Sequence, residues 1–187
     1  MVSTSSRLKE FFIFLTKFIL LFLICYYGTE IIIGLSSPGG HYSAFVANHL
    51  DYVSWIKKSL ISTTQWLLSF YNIETYQAGN DVVRIKYGMG VKIAYGCVGY
   101  GVFSFWIAYV ISNRGLFGRK LFLIVFGLLI LWIINVIRIS LFLVAINKQW
   151  PMPLGLDHHT WFTIVSYIAI FVMIYFFEKK SIQKSEY

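Results

Sequence analysis

Charge is what this sequence has least of. Charged residues make up 13% of it, where soluble proteins carry roughly a quarter. Apolar residues make up 58%. At 187 residues the chain is long enough for one domain. A water-facing globule of that size cannot hide so much apolar surface, so the chain needs lipid around it. Acidic residues are scarcer still, eight against sixteen Lys and Arg, for a net charge of +8. A basic balance suits a nucleic-acid binder, but these cations form no single patch. They sit in short clusters between long apolar runs, as a membrane protein's do, and nucleic acid is not an expected partner. Cysteine is nearly absent. Cys25 and Cys97 form no CxxC and no metal-ligand spacing, which excludes a disulfide scaffold and a zinc site. The basic N-terminus precedes an apolar run, but no small-residue cleavage site follows and the run is too long for a signal peptide. It reads as an uncleaved first span. There is no internal repeat and no low-complexity tract.

A membrane span needs about 20 mostly apolar residues. Four segments meet that test, at about 11–33, 91–112, 121–146 and 161–177. Basic residues mark the cytoplasmic side. Arg7 and Lys9 precede the first span. Arg114, Arg119 and Lys120 separate the second from the third, and Lys179, Lys180 and Lys184 follow the fourth. All three clusters fall on one side, so the expected location is the cytoplasmic membrane, multi-pass, with both termini inside. Residues 34–90 and the loop 147–160 then lie outside. Ser36 to Gly40 form a break. From about Ser43 to Tyr71 the pattern is helical, with Tyr52, Ile56, Leu60, Leu67 and Tyr71 recurring near multiples of four. Lys57 and Lys58 stand in the middle of it, and a fifth span would put Arg114, Arg119 and Lys120 outside. The segment therefore reads as an amphipathic helix on the outer surface. After it, Val83, Ile85 and Tyr87 alternate with Arg84 and Lys86. Gly88 and Gly90 follow, then Val91, Ile93 and Tyr95, a small β-hairpin leading into the second span. The expectation is an all-α polytopic membrane protein, a single membrane domain over 1–187, with four transmembrane helices, one surface helix and a hairpin.

Arg138 lies in Asn135-Val-Ile-Arg138, deep in an apolar run. An arginine facing lipid costs about 2.5–3.5 kcal/mol even on the lenient insertion scale. It stands eighteen residues after Lys120, about 27 Å along a helix and close to the thickness of the hydrocarbon core. That places it near the outer boundary, either as a snorkelling anchor or as part of a polar site facing the bundle interior. Asn135, one turn below on the same face, favours the interior. Cys97 sits in Tyr95-Gly-Cys-Val-Gly99 at the outer start of the second span. It is either a small buried apolar residue or an open thiol between glycines. A helix N-terminus and an arginine nearby both favour a thiolate, the nucleophilic form. His158 and His159 follow Asp157 at the outer start of the fourth span, as interfacial residues or as an acid–base pair. Cys97, Arg138 and the two histidines thus share one depth, although the span polarity was set without them. A thiol, an imidazole and a guanidinium there can form a nucleophile, a general base and an anion stabiliser.

At these residues the chain resembles the exosortase/archaeosortase family of membrane cysteine transpeptidases. Cys97-Val98-Gly99 opens a span, Asn135-x-x-Arg138 lies near the end of the next, and His159 opens the last, with Trp161 and Tyr167 after it. The stretch from Val82 to Ala94 fits the extended segment that leads to the family's cysteine. The likeness covers roughly residues 75–178, and the chain resembles a short-form member with fewer spans than many. The resemblance implies that Cys97, Arg138 and His159 are catalytic, with His158 the alternative histidine and Asn135 in support. It implies a substrate that is a secreted protein with a C-terminal sorting signal: a short motif, a transmembrane helix and a basic tail. The signal would be cut at the outer face and the protein passed to an acceptor such as a membrane lipid. No metal or organic cofactor is implied. Two other readings stay open on the residues alone. One is a non-catalytic assembly factor or small transporter using Arg138 as an anion site. The other is a thiol-redox protein using Cys25 and Cys97.

Overall fold

A computed structural model describes residues 4–39, 41–150, 155 and 158–183, the side chains of 4–6, 158, 159, 162 and 177–183 excepted. The fold is mostly helical. In chain order it runs α1 (Thr4–Ser36), α2 (Ala44–His49), α3 (Tyr52–Ser69), β1 (Thr75–Ala78), β2 (Val82–Ile85), β3 (Gly90–Lys92), a 3-10 turn (Tyr95–Val98), α4 (Tyr100–Ser112), α5 (Phe117–Asn147) and α6 (His158–Gln183). Among the described residues, Arg7–Ser36 of α1 and Phe117–Asn147 of α5 are long and apolar enough to cross a membrane, while Tyr100–Ser112 and Thr163–Phe176 are shorter apolar helices. Their outward faces are what lipid accepts and water rejects. Phe12, Leu20, Ile24 and Ile31 are exposed on α1, as are Phe122, Val125, Leu129 and Leu141 on α5.

The chain divides into two compact units, with boundaries after Val53, Gly99 and Leu128. The first holds α1, α2, α4 and the first part of α5. There α1 packs on α4 through aromatic rings. Phe14, Phe18, Phe22 and Tyr26 follow one another at every fourth position, so they share one face of α1. Phe18 meets Phe105 edge-on at 5.1 Å, Phe14 meets Tyr109 at 6.1 Å and Tyr26 meets Tyr100 at 5.3 Å. The Tyr100 hydroxyl donates to the Glu30 carboxylate. Trp106 is fully buried, and its indole N–H donates to the Leu123 carbonyl at 3.0 Å. It reaches that backbone only because residue 127 is glycine. A Cβ there would lie 2.0 Å from the indole nitrogen.

The second unit holds α3, the sheet, the 3-10 turn, the rest of α5 and α6. The sheet is antiparallel in the order β1-β2-β3. Its β2–β3 pair, with Val83 opposite Val91, is the hairpin that the alternation predicts. β1 is a third strand, and Thr75–Ala78 carries too little apolar alternation to announce it. The second span, predicted from residue 91, becomes helical only at Tyr100. Val91 and Lys92 belong to strand and Tyr95–Val98 to a turn, and apolar composition alone does not separate these from helix. The helix predicted from 43 to 71 is two helices. Asp51, a residue type favoured at N-caps, stands just before α3 at the break. The buried stripe of α3 is Val53, Lys57, Leu60, Ile61, Thr64 and Leu68, while Tyr52 and Tyr71 are exposed. Lys57 therefore does not mark a solvent face. It is 8% exposed, with its ammonium 4.1 Å from the centre of the Tyr95 ring. The long stem packs among apolar neighbours while the ring face receives the charge.

Gly127→Ala should displace the Trp106 indole and cost about 1–3 kcal/mol, the range for overpacking a filled core. Unfolding titrations in detergent micelles would read the loss, and Gly118→Ala, where a Cβ meets nothing within 4 Å, should cost less.

Candidate functional site

The site is built where the sheet ends and α4 begins. Ile93, wholly buried, closes the sheet, and its N–H donates to the Asp81 carbonyl at 2.7 Å. The chain then makes the turn Tyr95–Val98, in which the Cys97 N–H donates to the Ala94 carbonyl at 2.9 Å. Gly99 follows at φ 84°. That left-handed value costs an ordinary residue roughly 1 kcal/mol or more, so glycine here lets the turn stop and the helix start. Cys97 is held on this turn with 5% of its surface exposed, which is a tighter setting than its flanking glycines suggest.

Three polar groups hold the surroundings of this turn. Lys57 on α3 sits over Tyr95. Asn147, at the end of α5, grips the β2–β3 loop. Its carbonyl oxygen accepts from Met89 N–H at 2.7 Å, and its amide nitrogen donates to the Met89 carbonyl at 3.2 Å. Gly88 makes room for it, since a Cβ there would lie 2.3 Å from the Asn147 oxygen. The third is Asn135, with no exposed surface. Its amide donates to the carbonyls of Cys97 and Val98, both at 2.9 Å. One turn along the same face stands Arg138, and its side chain and Cys97 border one cavity. This cavity, of about 230 Å³, has Gly90 to Ala94 and Cys97 on one wall and Arg138, Ile139, Phe142 and Ile146 on the other.

Of the residues singled out from the sequence, Cys97, Arg138 and Asn135 therefore meet at one place. His158 and His159 begin α6, and their side chains lie outside the described residues. Cys25 lies on α1, in the other unit, as a free thiol. Sequence reasoning missed Lys57 and Asn147. Lys57 gives a signal only when it is seen that its helical position, four after Val53 and four before Ile61, falls on the apolar stripe. Asn147 gives none beyond being a polar residue at the end of an apolar run. A thiol and a guanidinium that border one cavity can attack a carbonyl carbon and receive the charge that develops on its oxygen.

The sequence model of the family described as Transmembrane exosortase (Exosortase_EpsH) matches residues 4–176. No curated protein and no solved structure matches the chain.

Asn135→Leu keeps the approximate volume of the side chain but leaves two carbonyls without their donor. Each buried acceptor so stranded costs about 1–3 kcal/mol. The expected result is a loss of stability in detergent unfolding, together with a changed rate of Cys97 alkylation. Cys97→Ser, which leaves the clamp intact, should shift stability by less than about 1 kcal/mol.

Proposed function

Because the chain belongs to the transmembrane exosortases, we propose that it is a membrane-embedded cysteine transpeptidase acting on the C-terminal sorting signals of secreted proteins. The observation that supports this most is that Cys97 and Arg138 border one cavity. In this reading α1, α4, α5 and α6 are the four spans and both termini are cytoplasmic. The basic clusters at Arg7 and Lys9, at Arg114, Arg119 and Lys120, and at Lys179, Lys180 and Lys184 then share the inner side. The Cys97 turn and the end of α5 lie at the outer face of the cytoplasmic membrane.

The reaction proceeds in two transfers. The Cys97 sulfur attacks the carbonyl carbon of the scissile peptide bond, and its proton passes to His159, or to His158 in its place. Arg138 stabilises the thiolate before attack and the oxyanion after it, in a setting from which apolar neighbours exclude water. Collapse of the tetrahedral intermediate breaks the C–N bond. The histidine gives its proton to the leaving amine, and the sorting helix departs with its basic tail. The secreted protein remains as a thioester on Cys97. An acceptor nucleophile, such as a membrane lipid, then attacks the thioester carbonyl and the sulfur leaves. Asn135 takes no part in proton transfer. It holds the backbone that carries the nucleophile.

A carrier that merely binds anions at Arg138 gives no role to the thiol that borders the same cavity. Cys97→Ala and Cys97→Ser should each abolish processing while expression in the membrane is kept, and Cys25→Ala should be harmless. Mass spectrometry of the wild-type protein mixed with substrate should find an acyl adduct on Cys97; a Cys97→Ser protein that still processes substrate would sink the assignment. Arg138→Lys keeps the charge and loses the planar fork. It should slow acylation about a hundredfold, the scale of losing one oxyanion donor.

A further inference from the structure

The sheet ends in an edge, and the edge faces the cavity. β3 pairs with β2 on one side, in the order β1-β2-β3. Ile93 N–H donates to the Asp81 carbonyl and Ile85 N–H donates to the Met89 carbonyl, at 2.7 and 3.2 Å. In an antiparallel pair the backbone groups of successive residues point to opposite sides. Residues 91 and 93 therefore turn their N–H and C=O groups toward β2, and Met89 turns its C=O there. Gly90 and Lys92 turn theirs away from it, toward the open side of the strand. The cavity meets that side. A pocket over one face of a strand would touch every second residue, because side chains alternate. This one is lined by each residue from Gly90 to Ala94 and then by Cys97, so it runs along the strand edge-on. Phe142 and Ile146 of α5 form the opposite wall, wide enough apart from β3 to leave about 230 Å³ between them.

The geometry points to strand addition: the extended stretch of substrate polypeptide that flanks the scissile bond lies along β3, exchanges main-chain hydrogen bonds with Gly90 and Lys92, and delivers its carbonyl to Cys97. This rests on the transpeptidase reading of the same cavity. The chemistry on the page favours a main-chain ligand. The wall offers two outward peptide groups at the spacing of alternate strand residues, about 7 Å, with the sulfur and guanidinium beyond their C-terminal end. Peptide in this form is recognised mainly through its backbone, with side chains read by the pockets on either face. Here Phe142 and Ile146 give one such apolar surface. The Lys92 ammonium is occupied elsewhere, 3.6 Å from the Asp81 carboxylate, so the backbone of that residue and not its charge is the contact.

The test can be made on the full chain in lipid nanodiscs, carrying Cys25→Ala. The symmetrical disulfide of the peptide Ac-Ala-Ala-Ala-Cys-Ala-Ala-NH2 is added. The Cys97 thiolate displaces one peptide thiolate and keeps the other peptide as a mixed disulfide. Hydrogen exchange over residues 90–94 is compared with the same protein methylthiolated on Cys97 by methyl methanethiosulfonate. The Lys92 amide should exchange at least about tenfold more slowly in the peptide adduct, and N-methylation along the peptide should remove the protection. Equal exchange in the two adducts overturns the inference, as does failure of the peptide to add where the small reagent adds. Substrate processing in cells gives a second readout. Lys92→Pro lacks the outward N–H and leaves the β2 ladder intact, so it should raise KM about tenfold, while Lys92→Ala, which keeps that N–H, should raise it less. Equal processing by these two variants also overturns strand addition. A Cys97 that forms no acyl-enzyme, in a protein whose tethered peptide still protects Lys92, would count against the transpeptidase reading and leave strand addition standing.

Discussion

A single buried amide sets the relation between the Cys97 turn and the helix that carries Arg138. Asn135 has two N–H groups, and both are given to the carbonyls of Cys97 and Val98. Its own oxygen is buried with no hydrogen-bond donor among the described residues, so this side chain acts here as a donor alone. A carboxamide on an apolar helix would otherwise be costly, since a buried polar group without partners loses about 1–3 kcal/mol on protein scales. The turn meets the same difficulty from its side, with two carbonyls that no helix or strand satisfies. The pairing satisfies both carbonyls and the amide N–H groups of Asn135. It also fixes the rotation of α5 about its axis. A change of one residue in register turns a helix face by about 100 degrees, which would take the amide off the carbonyls. Arg138 lies three residues on and shares that face, so once the amide is seated the guanidinium is brought to the cavity that Cys97 borders. Aspartate would carry no donor and glutamine would be a methylene too long. Asparagine is the residue that fits the clamp.

The lipid-facing surface explains why so few polar contacts hold so much in place. Leu129, Ile133, Ile137 and Leu141 are exposed on α5, while Leu131, Asn135, Ile139 and Leu143 form its buried side. Both faces are largely apolar, and in lipid the hydrophobic effect does little to choose between them. Orientation must come from packing detail and from polar groups that need partners. In the first unit that detail is the Trp106 indole lodged at Gly127. In the second it is Asn135, the cation of Lys57 over Tyr95, and the Trp132 indole, which donates to the Ser59 hydroxyl at 3.1 Å.

What was legible in the sequence follows from the same physics. Long uninterrupted apolar runs can be read without tertiary information, and the stretches predicted at 11–33 and 121–146 lie within α1 and α5. Asn135 and Arg138 stood out because polar groups in such a run need a reason. The start of the second span was misplaced because strand β3, the turn and α4 form one mostly apolar stretch, in which Lys92 is the single charge. Lys57 misled because charge was taken to mean solvent, whereas an aromatic ring provided its partner. The grip of Asn147 on Met89 joins positions 58 residues apart, and neither residue is unusual where it stands. Local pattern carries no trace of such a contact.

The sheet raises a separate question, since a helical membrane protein has no need of one for stability. Its strands have four, four and three residues, and a sheet so small does not hold itself together in isolation. It is held from outside by Asn147 on the β2–β3 loop and by α3 through Lys57 over Tyr95, just beyond β3. Edge strands are ordinarily a liability that proteins cover or blunt. Here the edge lies along a cavity whose far end carries a thiol and a guanidinium. A helix satisfies its own backbone and has no main-chain groups to offer along its length. A strand edge does, and an extended peptide needs them if it is to be held straight for attack. The marginal sheet is thus kept in place by polar contacts from outside it. That is the arrangement expected when an edge is kept for a ligand and not for the core.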